Sequence, residues 1–248
     1  MDRLLRYLVI SDVHANLEAL DAVLAAAGRY DRALVLGDLV GYGADPNAVI
    51  DRVRALPHAT LIRGNHDKVG AGLENTDGFN YLARHAITWT TNTLTPERRQ
   101  WLAALAQGPV IIDDLVEICH GAPFDEDVYI FDDLDAMRAL TVTRRPLCLF
   151  GHTHVVAGYH VNKEMRSVGA IHDTPIHIPL DGGSRFLVNC GAVGQPRDGD
   201  PRAAYGMLDT ASRTLSINRV EYDLPTAQAK IVAAGLPDVL AQRLAVGR

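Results

Sequence analysis

The sequence predicts an α/β protein built on a parallel sheet, and three observations predict it. Over the first 67 residues, short apolar runs alternate with helix-like stretches in a strand, helix, strand, helix, strand order. A second group of strand-like runs spans residues 110–222. Five of these runs end in residues able to bind a hard or borderline metal, and in parallel sheets ligands gather at the carboxyl ends of strands.

In chain order, Tyr7 to Ile10 reads as a buried strand ending in Ser11-Asp12-Val13-His14. Asn16 is suited to cap a helix over Leu17 to Ala27, whose Leu17, Leu20, Val23 and Leu24 share one face and which stops at Gly28. Ala33 to Leu36 is a second strand leading into Gly37-Asp38; Asp45-Pro46 opens a helix to about Leu56, and Pro57 closes it. Thr60 to Ile62 is a third strand, ending in Arg63-Gly64-Asn65-His66-Asp67.

From residue 68 to about 108 the pattern turns helical, over Phe79 to Trp89 and after the start signal Thr95-Pro96-Glu97, and reads as an insertion covering the sheet or its rim. Val110 to Ile112 and Leu115 to Cys119 form a hairpin that delivers His120. An Asp-rich stretch, Asp125 to Asp135, reads as a solvated face and the start of a helix near Leu134 to Leu140. Leu147 to Phe150 then leads into Gly151-His152-Thr153-His154.

Val155 to Val161 and Met165 to Val168 read as a hairpin about Asn162-Lys163, and residues 169–183, rich in Gly, Pro and Asp, as a loop excursion. Phe186 to Val188, Ala204 to Leu208 and Leu215 to Tyr222 complete an antiparallel set. A helical tail over about 226–248 is broken at Gly235-Leu236-Pro237, and the whole chain, 1–248, reads as a single domain.

Composition narrows the function classes. A net charge of -6 argues against a broad nucleic-acid surface or a polybasic membrane patch. Cys119, Cys148 and Cys190 are scattered, without a C-x-x-C pair, so no disulfide framework is read and a reducing cytoplasm is the expected compartment. The apolar run at the amino terminus is too short for a signal peptide, and nothing reaches the roughly 18 residues of a membrane span.

The strand ends together offer Asp12, His14, Asp38, Asn65, His66, His120, His152 and His154. Mixed carboxylate, imidazole and amide donors suit manganese, iron or zinc better than calcium or magnesium, and eight groups are too many for one tetrahedral zinc. They suit two metals sharing a carboxylate. Two divalent cations against two carboxylates leave roughly +2 of charge, which favours an anionic substrate and makes phosphoester hydrolysis the leading chemistry.

Asp12-x-His14, Gly37-Asp38, Gly64-Asn65-His66-Asp67, His120 and Gly151-His152-x-His154 resemble, in order, the motifs of the calcineurin-like metallophosphoesterase superfamily. The stretches SDVHANLEAL, LGDLVGYGADP and NCGAVGQPRDGDPRAAYG resemble its bacterial and archaeal phosphodiesterase branch, related to serine/threonine protein phosphatases. The resemblance implies a four-layer α/β/β/α sandwich, the metallo-dependent phosphatase fold. It implies one metal held by Asp12, His14 and His154, a second by Asn65, His120 and His152, and Asp38 bridging them.

By the same resemblance a metal-bridging hydroxide is the nucleophile, His66 contacts the phosphate and assists the leaving oxygen, and Asp67 orients that imidazole. Two divalent or mixed-valence transition metals (Mn, Fe or Zn) are the implied cofactors. The implied partner is a small anionic phosphoester, nucleotides included, and a phosphodiester ahead of a monoester or phosphoprotein. A non-catalytic scaffold on the same fold is the rival. Arg63 and Arg197 are candidate phosphate contacts because guanidinium grips phosphate oxygens as a fork, against the plainer reading of solvated or salt-bridged arginines. The chain departs from the family in having Gly41 where many members carry the second aspartate of G-D-x-x-D. His58, His85, His160, His172 and His177 have no supporting motif; the last two are placed, at most, at a substrate entrance.

Overall fold

The computed structural model describes residues 5–162, 164, 168–179 and 183–248. The chain begins β1 (Arg6–Ile10), α1 (Leu17–Ala27), β2 (Arg32–Val35), α2 (Pro46–Arg54), β3 (Thr60–Leu61), α3 (Asn65–Ala71), α4 (Tyr81–Thr93) and α5 (Pro96–Ala103). It continues through β4 (Val110–Ile111), β5 (Val116–Ile118), α6 (Asp133–Val142), β6 (Leu147–Phe150), β7 (Val156–Val161), β8 (Val168–Ala170), β9 (Ile176–His177) and β10 (Arg185–Cys190). It closes with β11 (Ala203–Asp209), β12 (Thr214–Val220), α7 (Leu224–Ala233) and α8 (Asp238–Leu244).

Two six-stranded sheets result, in the orders β3-β2-β1-β11-β12-β9 and β4-β5-β6-β10-β7-β8. Both are mixed: β1, β2 and β3 are parallel neighbours, as are β5, β6 and β10, while β11, β12 and β7 join antiparallel.

The four layers follow from period-two side-chain alternation. In β1, Tyr7 and Val9 face the core between the sheets, while Leu8 and Ile10 face the cluster under α1 and α2. In β6, Leu147 and Leu149 face the inter-sheet core, while Cys148 and Phe150 pack against Ala136, Ala139 and Leu140 of α6. Each fully buried Leu or Ile contributes on the order of 1.5–3 kcal/mol. A one-residue slip of β1 would swap its two buried faces, so its register is set from both sides.

Helix ends match the expected signals. Asn16 Oδ1 accepts from Ala19 N (3.1 Å), and its Nδ2 donates to Gly194 O (3.0 Å), tying the start of α1 to the loop after β10. Thr95 caps α5 and Pro96 fills its first turn; Asp132 accepts from Leu134 N and Asp135 N, both at 2.9 Å, to start α6.

Two expectations are corrected. Residues 169–183 are not all loop: Gly169 and Ala170 finish β8, and β9 pairs with β12 at the edge of the first sheet. Ile176 and Ile178 are buried in the inter-sheet core, a pull that the Gly/Pro/Asp composition conceals. The helical region also starts earlier than residue 68, because α3 begins at Asn65. The expected turn at Lys163 and the segment Met165 to Ser167 lie outside the described residues.

Candidate metal centre

The carboxyl ends of the parallel strands of the two sheets meet on one rim, and backbone hydrogen bonds sew them together. Gly151 N donates to His120 O (2.7 Å), Val193 N to Ser11 O (3.0 Å) and Gly194 N to Asp12 O (2.9 Å). His152 N, from the second sheet, donates to both carboxylate oxygens of Asp12, from the first, at 3.2 Å.

The chain turns sharply as each strand ends. Asp12, His14, Asp38, His152 and His154 all adopt left-handed φ, between 48° and 68°. That conformation costs a non-glycine residue on the order of 1–2 kcal/mol, and persists only where surrounding bonds fix it.

The strain collects side chains into two overlapping groups, Asp12, His14, Asp38 and His154 in one and Asp38, His120 and His152 in the other. Asp38 belongs to both. Its Oδ2 lies 3.5 Å from His14 Nε2 and 3.5 Å from His120 Nε2, is buried, and has no hydrogen-bond partner among the described residues, while its Oδ1 accepts from His66 N (2.9 Å). Asp12 Oδ1 lies 3.4 Å from His154 Nε2, and Asn65 Oδ1 3.3 Å from His120 Nε2. All seven expected ligand positions thus converge.

Each imidazole spends one nitrogen on a backbone carbonyl. His14 Nδ1 donates to Val40 O (2.9 Å), His120 Nδ1 to Leu36 O (2.7 Å), His154 Nδ1 to Gln195 O (2.7 Å) and His152 Nε2 to Asp127 O (3.2 Å). A carbonyl only accepts, so in each neutral ring the other nitrogen presents a lone pair to the centre, the usual way a metal-binding histidine is oriented. These buried lone pairs and the partnerless Asp38 oxygen fit a pair of cations. The clustered Asp and His residues suit a dinuclear metal site.

The electrostatics agree. Burial, followed by the repulsion of neighbouring positive groups, drives His154 well below the usual imidazole range. Burial likewise takes His14 well below that range, against the pull of Asp38, and takes His152 down to about 3. His120 is the exception: burial depresses it, but the negative charge of Asp38 beside it outweighs burial and lifts it to about 10. Burial and the charge of Asp38 raise Asp12 to about 7.

His66 stands on the first turn of α3, its ring 4.8 Å from His14, 4.6 Å from Tyr42 and 4.6 Å from Phe79. Its Nδ1 is buried without a partner among the described residues, and burial lowers the group to about 4. Gly41, at φ +88°, leaves room for the ring, since a β-carbon there would collide with Nδ1. Gly64 serves similarly, because a β-carbon there would strike Asp38 Oδ1 and His120 Cε1.

The expectation that Asp67 orients His66 is not met. Asp67 Oδ1 accepts from Leu39 N (2.8 Å) and Val40 N (3.2 Å), and Oδ2 from Gly64 N (3.1 Å). Successive residues of a helix project about 100° apart, so Asp67 turns inward to clamp the loop after β2 while His66 faces the cleft.

That cleft has a volume of about 220 Å³, and Asn65, His66, Phe79, Tyr129, His152 and Arg197 lie on its walls. Arg197 lines it: one guanidinium nitrogen bonds Tyr42 Oη (3.3 Å) and Gln195 Oε1 (3.1 Å), and its buried Nε has no partner among the described residues. Arg63 does not. Its guanidinium forks onto Glu126 at 3.2 and 2.9 Å, because the end of β3 points it at the loop after β5. Lys68 reaches the cleft but is held by Glu74 and Asp127, both at 2.6 Å, and Glu126 at 3.3 Å.

The remaining histidines stay apart. His58 and His85 are exposed, and His160, His172 and His177 line a separate groove, not the cleft entrance.

Comparison with known proteins decides the family: a profile of the calcineurin-like phosphoesterase superfamily domain matches residues 5–213. The chain belongs to that superfamily. This calcineurin-like phosphoesterase is 36% identical over 250 residues to the uncharacterized protein MJ0912 of Methanocaldococcus jannaschii, covering 97% of each chain. It is similar to the crystal structure of a metallophosphoesterase from Sphaerobacter thermophilus, with 39% identity, a TM-score of 0.84, and coverage of 99% of this chain and 100% of the other. It shares its fold with the hypothetical protein PH1004 of Pyrococcus horikoshii OT3, at 19% identity and a TM-score of 0.76 over 98% of both chains.

Two residues of the phosphoesterase site were not singled out from sequence. Asn189, wholly buried, donates to Gly151 O (2.8 Å) and Thr153 Oγ1 (2.9 Å), bracing the loop that carries His152 and His154. A polar residue ending a strand was the available signal. Tyr129 stacks on His152 with ring centres 3.8 Å apart, and the Asp-rich run around it gave no signal.

Proposed function

We propose that this protein is a dinuclear-metal-dependent phosphoesterase acting on phosphodiesters. Asp12, His14 and His154 would hold one divalent transition metal and Asn65, His120 and His152 a second, with Asp38 between them. Manganese, iron and zinc suit this donor set. When bound, such a pair lowers the pKa of a shared water and supplies the positive charge that draws in an anionic ester.

The observation that carries the reading is Asp38 Oδ2, buried and partnerless midway between two imidazoles. Around it, Arg197 reaches a non-bridging phosphoryl oxygen from the cleft wall. His66, its Nδ1 buried without a partner among the described residues, offers a ring N–H to the departing ester oxygen. The oxygen of water bonds to phosphorus as the ester O–P bond opposite it breaks, a proton of that water passes to solvent, and the hydrogen bond from His66 stabilises the charge left on the departing oxygen.

A diester rather than a monoester is favoured by cleft charge. Glu74, Glu126 and Asp127 surround Lys68, and Glu126 takes up Arg63, so among the described residues Arg197 is the cation left for substrate in the cleft. One guanidinium beside the metals matches the single charge of a diester better than a dianion.

Asp38→Asn tests the reading. The variant should retain its far-UV circular dichroism and lose at least about a hundredfold in turnover of an aryl phosphodiester, given what preorganised charge contributes in such sites. A variant that binds metal fully and turns over near the wild-type rate would refute it.

A further inference from the structure

Between α6 and the hairpin before it, the chain places an aromatic side chain on the cleft wall that neither motif nor charge pattern marks. Tyr129 lies on His152 with ring centres 3.8 Å apart and planes 21° apart, and Phe131 lies on Tyr129 at 5.0 Å and 10°. Two rings at these distances cannot sit side by side on one face of a third without overlapping, so His152 and Phe131 cover opposite faces of Tyr129.

Both faces of the phenol ring being covered, it has no face left on which a substrate ring could stack. What it offers the cleft is its edge and its hydroxyl. Tyr129 is 40% exposed and shares the cleft with His66 and Arg197, and among the described residues its hydroxyl has no hydrogen-bond partner. The loop holding it is anchored twice at Asp127, whose carbonyl accepts from His152 Nε2 (3.2 Å) and whose carboxylate takes Lys68 (2.6 Å).

We infer that Tyr129 is a substrate-binding residue whose hydroxyl donates a hydrogen bond to a phosphoryl oxygen of the bound ester. This rests on the phosphoesterase reading of the cleft. His66 flanks the centre on the His14 side and Tyr129 on the His152 side, so a phosphoryl group at Asp38 has one of these side chains at each end. Arg197 adds the charged contact. The stack fixes the ring, so little side-chain freedom is lost on binding.

Tyr129→Phe isolates the claim, because it keeps both stacked contacts and removes one oxygen. With manganese-loaded protein, the variant should lose roughly 10- to 100-fold in kcat/KM on an aryl phosphodiester, as expected for a hydrogen bond to a charged group, with unchanged metal content. Its affinity for inorganic phosphate, measured by calorimetry, should fall by about tenfold or more. If wild type hydrolyses no phosphoester while the variant still loses phosphate affinity, Tyr129 keeps its role and the catalytic reading falls. A variant equal to wild type in both measurements overturns the inference. So does a variant whose only change is lower manganese content, since Tyr129 would then merely support His152.

Discussion

The Nε2 atoms of His14 and His154 lie 3.0 Å apart, although neither neutral ring can donate to the other. Each ring commits its proton at Nδ1 to a carbonyl, of Val40 and of Gln195, so two lone pairs face each other across a buried gap. Only a cation makes that arrangement favourable.

Metal removal should therefore destabilise the fold as well as stop turnover. At a free metal concentration about 100 times the dissociation constant, binding adds about 2.7 kcal/mol, and in a chain of this size each kcal/mol moves Tm by about 2–4 °C. Chelation followed by calorimetry should show a fall of about 5–11 °C that manganese reverses. An unchanged Tm after proven metal loss would count against the paired lone pairs as a binding feature.

Gly41 leads to a second expectation. Gly41→Ala sets a β-carbon against His66 Nδ1 and strains a backbone at φ +88°, so the ring must swing away from its place between Tyr42 and Phe79. Turnover of an aryl phosphodiester should fall about 100-fold or more, the usual range for losing a proton-handling group, while metal content holds. Equal kinetics in the two proteins would show that His66 is not needed where it stands.

The two arginines should separate cleanly. Arg197→Ala should raise KM for a phosphodiester by about tenfold or more, because it removes a charged hydrogen bond to substrate, and leave Tm nearly unchanged. Arg63→Ala should do the reverse. It strands Glu126, a buried carboxylate then left with Lys68, at a cost of about 3 kcal/mol and hence about 6–12 °C of Tm. Steady-state kinetics beside thermal melts decides both.

Much of this was legible in the sequence because strand ends carry chemistry in a fixed order. Asp12, His14, Asp38, His120, His152 and His154 each follow a short apolar run that reads as a buried strand, and parallel pairing sends those ends to one rim. What could not be read depends on direction rather than position. Asp67 sits beside His66 in sequence but a third of a turn away on α3, so it holds Leu39, Val40 and Gly64 instead of the imidazole. The sequence left Arg63 between a phosphate contact and a salt bridge because its partner, Glu126, stands 63 positions away in an Asp-rich stretch that reads as solvated. β9 was hidden because two residues are too few to show a period.

The double hydrogen bond from His152 N to Asp12 has a consequence for how the protein is made. Asp12 emerges from the ribosome 140 residues before His152, and Arg197 follows later still. During synthesis the early strands therefore hold Asp12, His14 and Asp38 without the histidines that complete either group. Stray ions in the cell meet only a half-built chelate on the nascent chain. For metals held as proposed, stable capture has to wait until the second sheet has docked, which couples loading to completed folding.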